Sequence, residues 1–195
     1  MGGKEASAPA GASAAKARIR RLTRQNAYLS ALHETAVKLL ERIDEEELLE
    51  AILQRAAEMT GTKHGFIYLL DADKHRMRMR LGRGFFGNQL GRQVKMGEGL
   101  GGRVWKQEAP LIVERYRDWE GRLPDASLDP LLSAVGIPLK SDAGVLGVFG
   151  LGRLESETPF DREDVAVLSR FADLALMALD KARLYADVSR ELAER

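Results

Sequence analysis

The stretch Met96-Gly97-Glu98-Gly99-Leu100-Gly101-Gly102-Arg103-Val104-Trp105 constrains this chain more than any other, because four glycines fall within six residues. Glycine alone reaches positive φ without strain, so main chain rather than side chains sets the shape here. A short strand from Gln93 to Met96 leads in, and a short helix leads out. Amides at the start of that helix can hold an anion or a carbonyl oxygen. Arg103 and Trp105, just inside it, can add a charge and an aromatic wall. The spacing Gly97-x-Gly99-x-x-Gly102 also fits the dinucleotide fingerprint and, extended to Val104, the glycine-rich loop of protein kinases. Neither has its context. The fingerprint opens a parallel βαβ unit, whereas the strands here are patterned as hairpins. The chain has no Val-Ala-Ile-Lys, His-Arg-Asp or Asp-Phe-Gly stretch. Arg103 and Val104 stand where a P-loop needs Lys and Ser or Thr.

Before this turn the chain is helical. Residues 1–15 are mostly Gly, Ala and Ser, too poor in apolar surface to order themselves, and form a floppy lead. Ser13-x-x-Lys16 lies in that lead without the partners a β-lactamase-type motif needs. From 16 to 43 the residues Ile19, Leu22, Asn26, Leu29, His33, Ala36, Leu40 and Ile43 step by threes and fours, a heptad seam. Such a seam pairs with another helix, and Asn26 within it is suited to fix register and two-strandedness. His33 in the same seam reads as a tolerated polar core residue. Asp44 with Glu47 resembles a capping box and restarts a helix. Leu48, Leu49, Ile52, Leu53, Ala56 and Met59 give it one apolar face, and Gly61 ends it.

His64 to Asp71 reads as a buried strand. Arg76 to Leu81 alternate, which predicts a hairpin with Met77, Met79 and Leu81 inward and one wet face of Arg76, Arg78 and Arg80. Gly84 to Arg92 carries Phe85, Phe86 and Gln89. Pro110 to Val113 is a short strand, and Tyr116 to Leu131 a long irregular segment of the sort that forms lids. Ser133 to Lys140 and Val145 to Arg153 make a second hairpin, its return strand thinned by Gly147, Gly150 and Gly152. Asp161 is placed to cap a last helix running from about Arg162 to Glu194. Leu168, Ala172, Ala175, Leu179 and Ala182 form one apolar stripe on it; Leu174, Ala178, Tyr185, Val188 and Leu192 form another.

Composition narrows the chemistry. Lys+Arg 30 against Asp+Glu 29 leaves a net charge of +1, so no general attraction to nucleic acid or membrane follows. Cys 0 excludes disulfides, thiolate catalysis, cysteine-bound metal and any cofactor tethered through sulfur. No apolar run approaches the roughly 20 residues of a membrane span, and the start lacks the apolar stretch of a signal peptide. The expected compartment is the cytoplasm. At 195 residues, one domain with extensions is expected.

Three stretches in order, GEGLGGRVW (97–105), AVGIPLKSDAGVLGVFGLGR (134–153) and PFDREDVAVLSRFADLALMAL (159–179), resemble the GAF domain, from roughly Leu32 to Leu184. The resemblance implies an α+β fold: an antiparallel sheet of about six strands, terminal helices on one face, and a pocket with loops and short helices on the other. It implies a non-catalytic, small-molecule-sensing regulatory module, dimeric through its terminal helices and coupled to an output domain or partner. The segments would be 1–15 as lead, 16–43 as dimerisation helix, 44–184 as the GAF domain and 185–195 as the end of a signalling helix. The implied pocket lies beneath the glycine turn (Gly97, Gly99, Gly101, Gly102) and the Tyr116–Leu131 segment. Its candidate lining is Phe85, Phe86, Gln89, Arg103, Trp105, Tyr116, Trp119 and Ala134. The dimer interface would use Leu22, Asn26, Leu29, His33, Leu40, Ala178, Leu179 and Tyr185. No haem or covalent bilin is expected, since no cysteine exists and His33, His64 and His75 fall away from the implied pocket. The cyclic-nucleotide signature Asn-Lys…Phe-x-x-x-Asp-Glu is broken. Phe160 and Asp164 fit it, but Gly152-Arg153 replace Asn-Lys and Val165 replaces Glu. Two other readings stay open at this point, a ligand-free dimerising spacer and a cyclic-nucleotide binder.

Overall fold

The computed structural model describes residues 45–154 and 158–193, together with Lys16 and Arg18; side chains are described as far as Lys181. The chain divides into two compact units, Met1–Asp44 and Glu45–Arg195. In the first, Lys16 and Arg18 are helical and exposed. The seam residues Leu22, Asn26, Leu29, His33 and Leu40, and the Asp44 cap, lie outside the described residues.

The second unit runs α1 (Glu45–Met59), β1 (His64–Leu70), β2 (Met77–Arg83), a 3-10 helix (Gly84–Gln89), β3 (Gln93–Val94), α2 (Gly99–Gln107) and β4 (Leu111–Val113). Two 3-10 turns (Tyr116–Asp118 and Ala126–Leu128), β5 (Leu131–Ser141), β6 (Gly144–Leu154) and α3 (Arg162–Ala193) complete it. The strands form one antiparallel sheet in the order β3-β2-β1-β6-β5-β4. Its edges, β3 and β4, are two and three residues long, which leaves little exposed ladder for another chain to pair with.

The helix ends are set by local chemistry. At α1, Gly61 adopts φ 71° and donates its N–H to the Glu58 carbonyl, while Thr62 donates to Ala57. This is the left-handed stop that glycine makes cheaply. At α3, the Asp161 carboxylate accepts from the Glu163 and Asp164 amides at 2.8 and 3.0 Å, and Asp164 returns the bond from the Asp161 amide. That reciprocal pair is a capping box with Asp in the third position.

The sheet is covered on both faces. On one, Leu49, Leu53 and Ala56 of α1 and Leu168, Ala172 and Ala175 of α3 pack on Ile67, Val135, Ile137, Phe149 and Leu151. On the other, Leu100, Val104 and Trp105 of α2 meet Phe66, Tyr68, Met77, Met79, Ala134 and Val148. Burial drives both layers at about 25 cal/mol per Å² of apolar surface.

Two expectations need correction. Met77, Met79 and Leu81 are all buried but do not share a face. Met77 and Met79 join the α2 side, whereas Leu81 joins the α1/α3 side. The β1–β2 register jumps from Ile67↔Leu81 to Tyr68↔Met79, so Arg80 is an extra residue in a bulge, and the alternation reverses there. Ala178 and Leu179, expected at a dimer interface, are buried in this chain's own core. They continue the Leu168, Ala172, Ala175 stripe by three and four residues and so fall on the inward face. Large apolar residues exposed on the described part of α3 are Leu174 (49%) and Met177 (68%). The Tyr185 side chain lies outside the described residues.

Phe149 is fully buried on β6 between the β1 and β5 neighbours Ile67 and Ile137. Phe149→Ala should lower unfolding free energy in urea titration by about 3–5 kcal/mol, the usual cost of emptying such a site. A loss below about 1 kcal/mol would mean that the ring is not a core element.

Candidate functional site

On the face opposite α1 and α3, a cavity of about 30 Å³ lies between the sheet, α2 and the 115–130 segment. That is room for a water or two, well short of the roughly 300 Å³ at which small-molecule pockets begin. Its walls are Phe66 and Tyr68 of β1, Met79 of β2, Phe86 and Gln89 of the 3-10 helix, then Arg92 and Val94. Leu100 and Gly101 of α2, Tyr116, Leu123 and Leu128 of the segment, and Leu131 and Ala134 of β5 complete them.

The apolar part of the wall is fixed by ring packing. Phe66 meets Phe86 edge-on at 4.8 Å and Tyr68 at 5.5 Å, geometry that suits aromatic quadrupoles. The 3-10 helix bearing Phe86 and Gln89 is tied to β1 by buried His64, whose Nδ1 accepts the Phe85 N–H at 3.0 Å. That bond fixes an acceptor nitrogen at Nδ1.

Four polar side chains belong to the same wall. Burial pushes the Tyr68 phenol up. Burial also raises Tyr116, opposed by a hydrogen bond from the Leu123 backbone and by Arg122. Both hydroxyls therefore keep their protons at neutral pH. Gln89 Oε1 is buried and has no hydrogen-bond partner. Arg92 donates from Nη2 to Asp125 Oδ2 at 2.6 Å and to Ser127 Oγ at 3.4 Å. The Ser127 hydroxyl and Arg92, with the Ser127 amide, hold the Asp125 carboxyl down at about 2 from an ordinary 3.8. A depressed carboxylate stabilises the fold above its unfolded value and loses that contribution as pH falls through the folded one. The Asp125 contribution is therefore complete across the neutral range and is lost between about pH 4 and about pH 2.

The segment that closes the pocket is stapled to itself. Arg122 pairs with Asp129 and donates to the Arg117 carbonyl, Arg117 donates to the Asp129 carbonyl, and Asp125 accepts the Ser127 amide. Leu123 rests against Gly99, where φ is 58° and a Cβ would press into the Leu123 side chain, so glycine is favoured at that point of the turn. At Gly102 a Cβ would collide with the Lys95 carbonyl, so the turn folds back flat on itself. Glu98 takes the Lys95 amide at 2.9 Å and brings a carboxylate to the turn, which disfavours an anion there.

Of the residues expected to line a pocket, Phe86, Gln89, Tyr116 and Ala134 do so, with Gly101 of the turn. Phe85 backs Phe86 at 5.2 Å, and Trp105 is buried in the surrounding core. Arg103 is exposed, its guanidinium 5.7 Å from the ring centre of Trp119, which packs on Tyr116 outside the cavity. Tyr68 and Arg92 were not foreseen. The strand alternation that puts Phe66 and Tyr68 on one face was the available signal for the first. Gln89 and Arg92, three residues apart beside the turn, were the signal for the second.

The residues of the broken nucleotide signature gather elsewhere. Arg153, its side chain 10% exposed, donates to the carbonyls of Thr158, Pro159 and Thr60, pairs with Asp164 at 3.3 Å and lies 4.2 Å from the Phe160 ring centre. This cluster joins the end of α1 to β6 and the first turn of α3, and none of its members lines the cavity. Arg153→Ala strands a mostly buried Asp164 carboxylate and should cost about 3–5 kcal/mol in urea unfolding. Arg153→Lys, which keeps the charge but not the fork, should cost less. Equal stability of wild type and Arg153→Ala would contradict this role.

A family model described as the GAF domain matches residues 42–180. The Nif-specific regulatory protein of Azospirillum lipoferum is 26% identical over 164 residues, which covers 79% of this chain and 26% of that protein. The chain thus spans about a quarter of the length of the curated relatives it matches. The GAF domain of a phosphoenolpyruvate-protein phosphotransferase from Coxiella burnetii superposes with TM-score 0.67 at 20% identity, over 79% of this chain and 94% of that one. The corresponding domain from Acinetobacter gives 0.66 at 18% identity, with the same coverage. At those identities the structures share the fold. With the family model covering most of the second unit, the chain belongs to the GAF domain family.

Proposed function

We propose that this chain is a non-catalytic sensory input module of a longer cytoplasmic regulator. It binds a small molecule non-covalently, pairs with a second copy through its terminal helices and passes the pocket's state to an output domain or partner. The observation that carries the reading is the set Tyr68, Gln89, Arg92 and Tyr116 in the wall of one otherwise apolar pocket. A buried acceptor without a partner, such as Gln89 Oε1, costs about 1–3 kcal/mol. A ligand donor would remove that penalty. The Nif-specific regulatory protein supports the regulatory part of the reading. Pairing is supported by the heptad seam of 16–43 and by the exposed Leu174 and Met177 on α3. Without cysteine, sulfoxide reduction through thiols and thiol-tethered chromophores are outside its chemistry. No described helix is long and apolar enough to cross a membrane.

The small volume of the cavity favours a second reading, in which the pocket stays shut and the domain is a dimerising spacer. Binding of cyclic nucleotides is the weaker alternative, because the signature residues that remain are engaged around Arg153. Native mass spectrometry of freshly purified protein separates these. The sensory reading expects a dimer carrying a small molecule or accepting one on addition. A dimer that stays bare against a broad metabolite set, with no thermal shift, would favour the spacer. A monomer at all concentrations would overturn the pairing. Saturable heat with cAMP or cGMP at micromolar concentration would promote the nucleotide reading.

A further inference from the structure

We propose that Arg92 is the anchor for a small carboxylate carrying its own hydroxyl or amine, which takes the place of Asp125 and releases the 115–130 segment as a lid. The inference deepens the sensory reading and rests on it.

Arg92 is the one permanent cation among the cavity's lining residues, and its side chain is four-fifths buried. It already holds a carboxylate, that of Asp125 at 2.6 Å. The anion site is therefore built, and in this state the chain itself fills it. Exchange of one carboxylate for another leaves the guanidinium paired throughout, so no buried charge is stranded. The released Asp125 is partly exposed already and passes to water at little cost. Tyr68, which stays on β1 and is kept as a neutral phenol by burial, can donate to the incoming group. Gln89 Oε1 can only accept, and no protein donor reaches it. A hydroxyl or amine on the ligand supplies that donor, which a bare carboxylate lacks.

What moves is defined by the bonding. Arg117, Arg122, Asp125, Ser127 and Asp129 are hydrogen-bonded to one another within the segment, so it can swing as a unit. Leu123 and Leu128 would leave the cavity with it, adding their volume to the present 30 Å³. The segment also carries Trp119, one of two tryptophans in the chain, while the other, Trp105, is buried in α2. Lid release therefore has its own optical reporter.

The test titrates L-malate into the whole chain at constant ionic strength and follows tryptophan fluorescence, with Trp119→Phe to assign the signal. Asp125→Asn removes the competing charge but keeps an oxygen for the Ser127 amide. The expected result is saturation by malate in wild type, a midpoint at least tenfold lower in Asp125→Asn, and a midpoint at least tenfold higher in Arg92→Gln. Arg92→Lys, which preserves charge and bulk, should fall between wild type and Arg92→Gln. Succinate, lacking the hydroxyl, should need several-fold more ligand. Equal midpoints in wild type and Asp125→Asn, or no saturation in either, would overturn the exchange. Malate binding unaffected by both Arg92 substitutions would overturn the anchor. A neutral molecule retained in native mass spectrometry, with malate silent in all variants, would overturn the exchange while leaving the sensory pocket standing.

Discussion

The structure depends on one sheet being covered on both faces. β1 shows it most plainly: Phe66 and Tyr68 face one layer, Ile67 faces the other, and all three are buried. Because β1 pairs with β2 on one side and β6 on the other, its backbone groups are satisfied without water. Such a strand needs two separate apolar covers. On the α1/α3 side two helices supply a continuous one. On the other side the cover is assembled from a 3-10 helix, the nine-residue α2 and an irregular segment. Short pieces meeting at angles leave a gap where they converge, and the cavity sits at that convergence.

Strands β1, β5 and β6 each contribute to both layers. On β6, Gly150 lies under the Phe66 ring, in the pocket wall, and Arg153 holds Asp164 in the first turn of α3. β5 spans the layers too: Leu131 and Ala134 line the pocket, while Val135 and Ile137 pack with Leu168, Ala172 and Ala175 of α3. The largely buried Arg153 cluster ties β6 to the end of α1 and to the first turn of α3. It also explains why Phe160 and Asp164 occupy signature positions without touching the cavity: their chemistry here is spent on holding a helix end.

Much of the architecture was legible because it follows from short-range rules. Gly61, Asp161 and the glycine turn end or begin helices by local backbone chemistry, and the hairpin of β5 and β6 is written as two apolar runs around Ser141-Asp142-Ala143-Gly144. What escaped depends on single residues of offset. The extra residue at Arg80 reversed the face of Leu81, and nothing in an evenly alternating Arg/Met/Leu run marks a bulge. Arg103 drew attention by its place beside the glycines, yet the α2 turn that buries Leu100, Val104 and Trp105 turns position 103 outward. Arg92 was passed over because it stands between elements, where no periodicity assigns a face. Ala178 belongs to the core because the α3 stripe is wide enough to include both it and Leu179.

The central claim is that the pocket face has a cover which opens independently of the sheet. Hydrogen–deuterium exchange of the whole chain, resolved by peptide, measures this directly. Independent opening predicts that amides of 115–130 exchange at least about a hundredfold faster than those of β1, β5 and β6, as expected of a sub-global unit. It also predicts that weakening the Arg92–Asp125 contact accelerates 115–130 alone. Exchange of 115–130 as slow as that of β1, rising only when the whole sheet unfolds, would contradict the account.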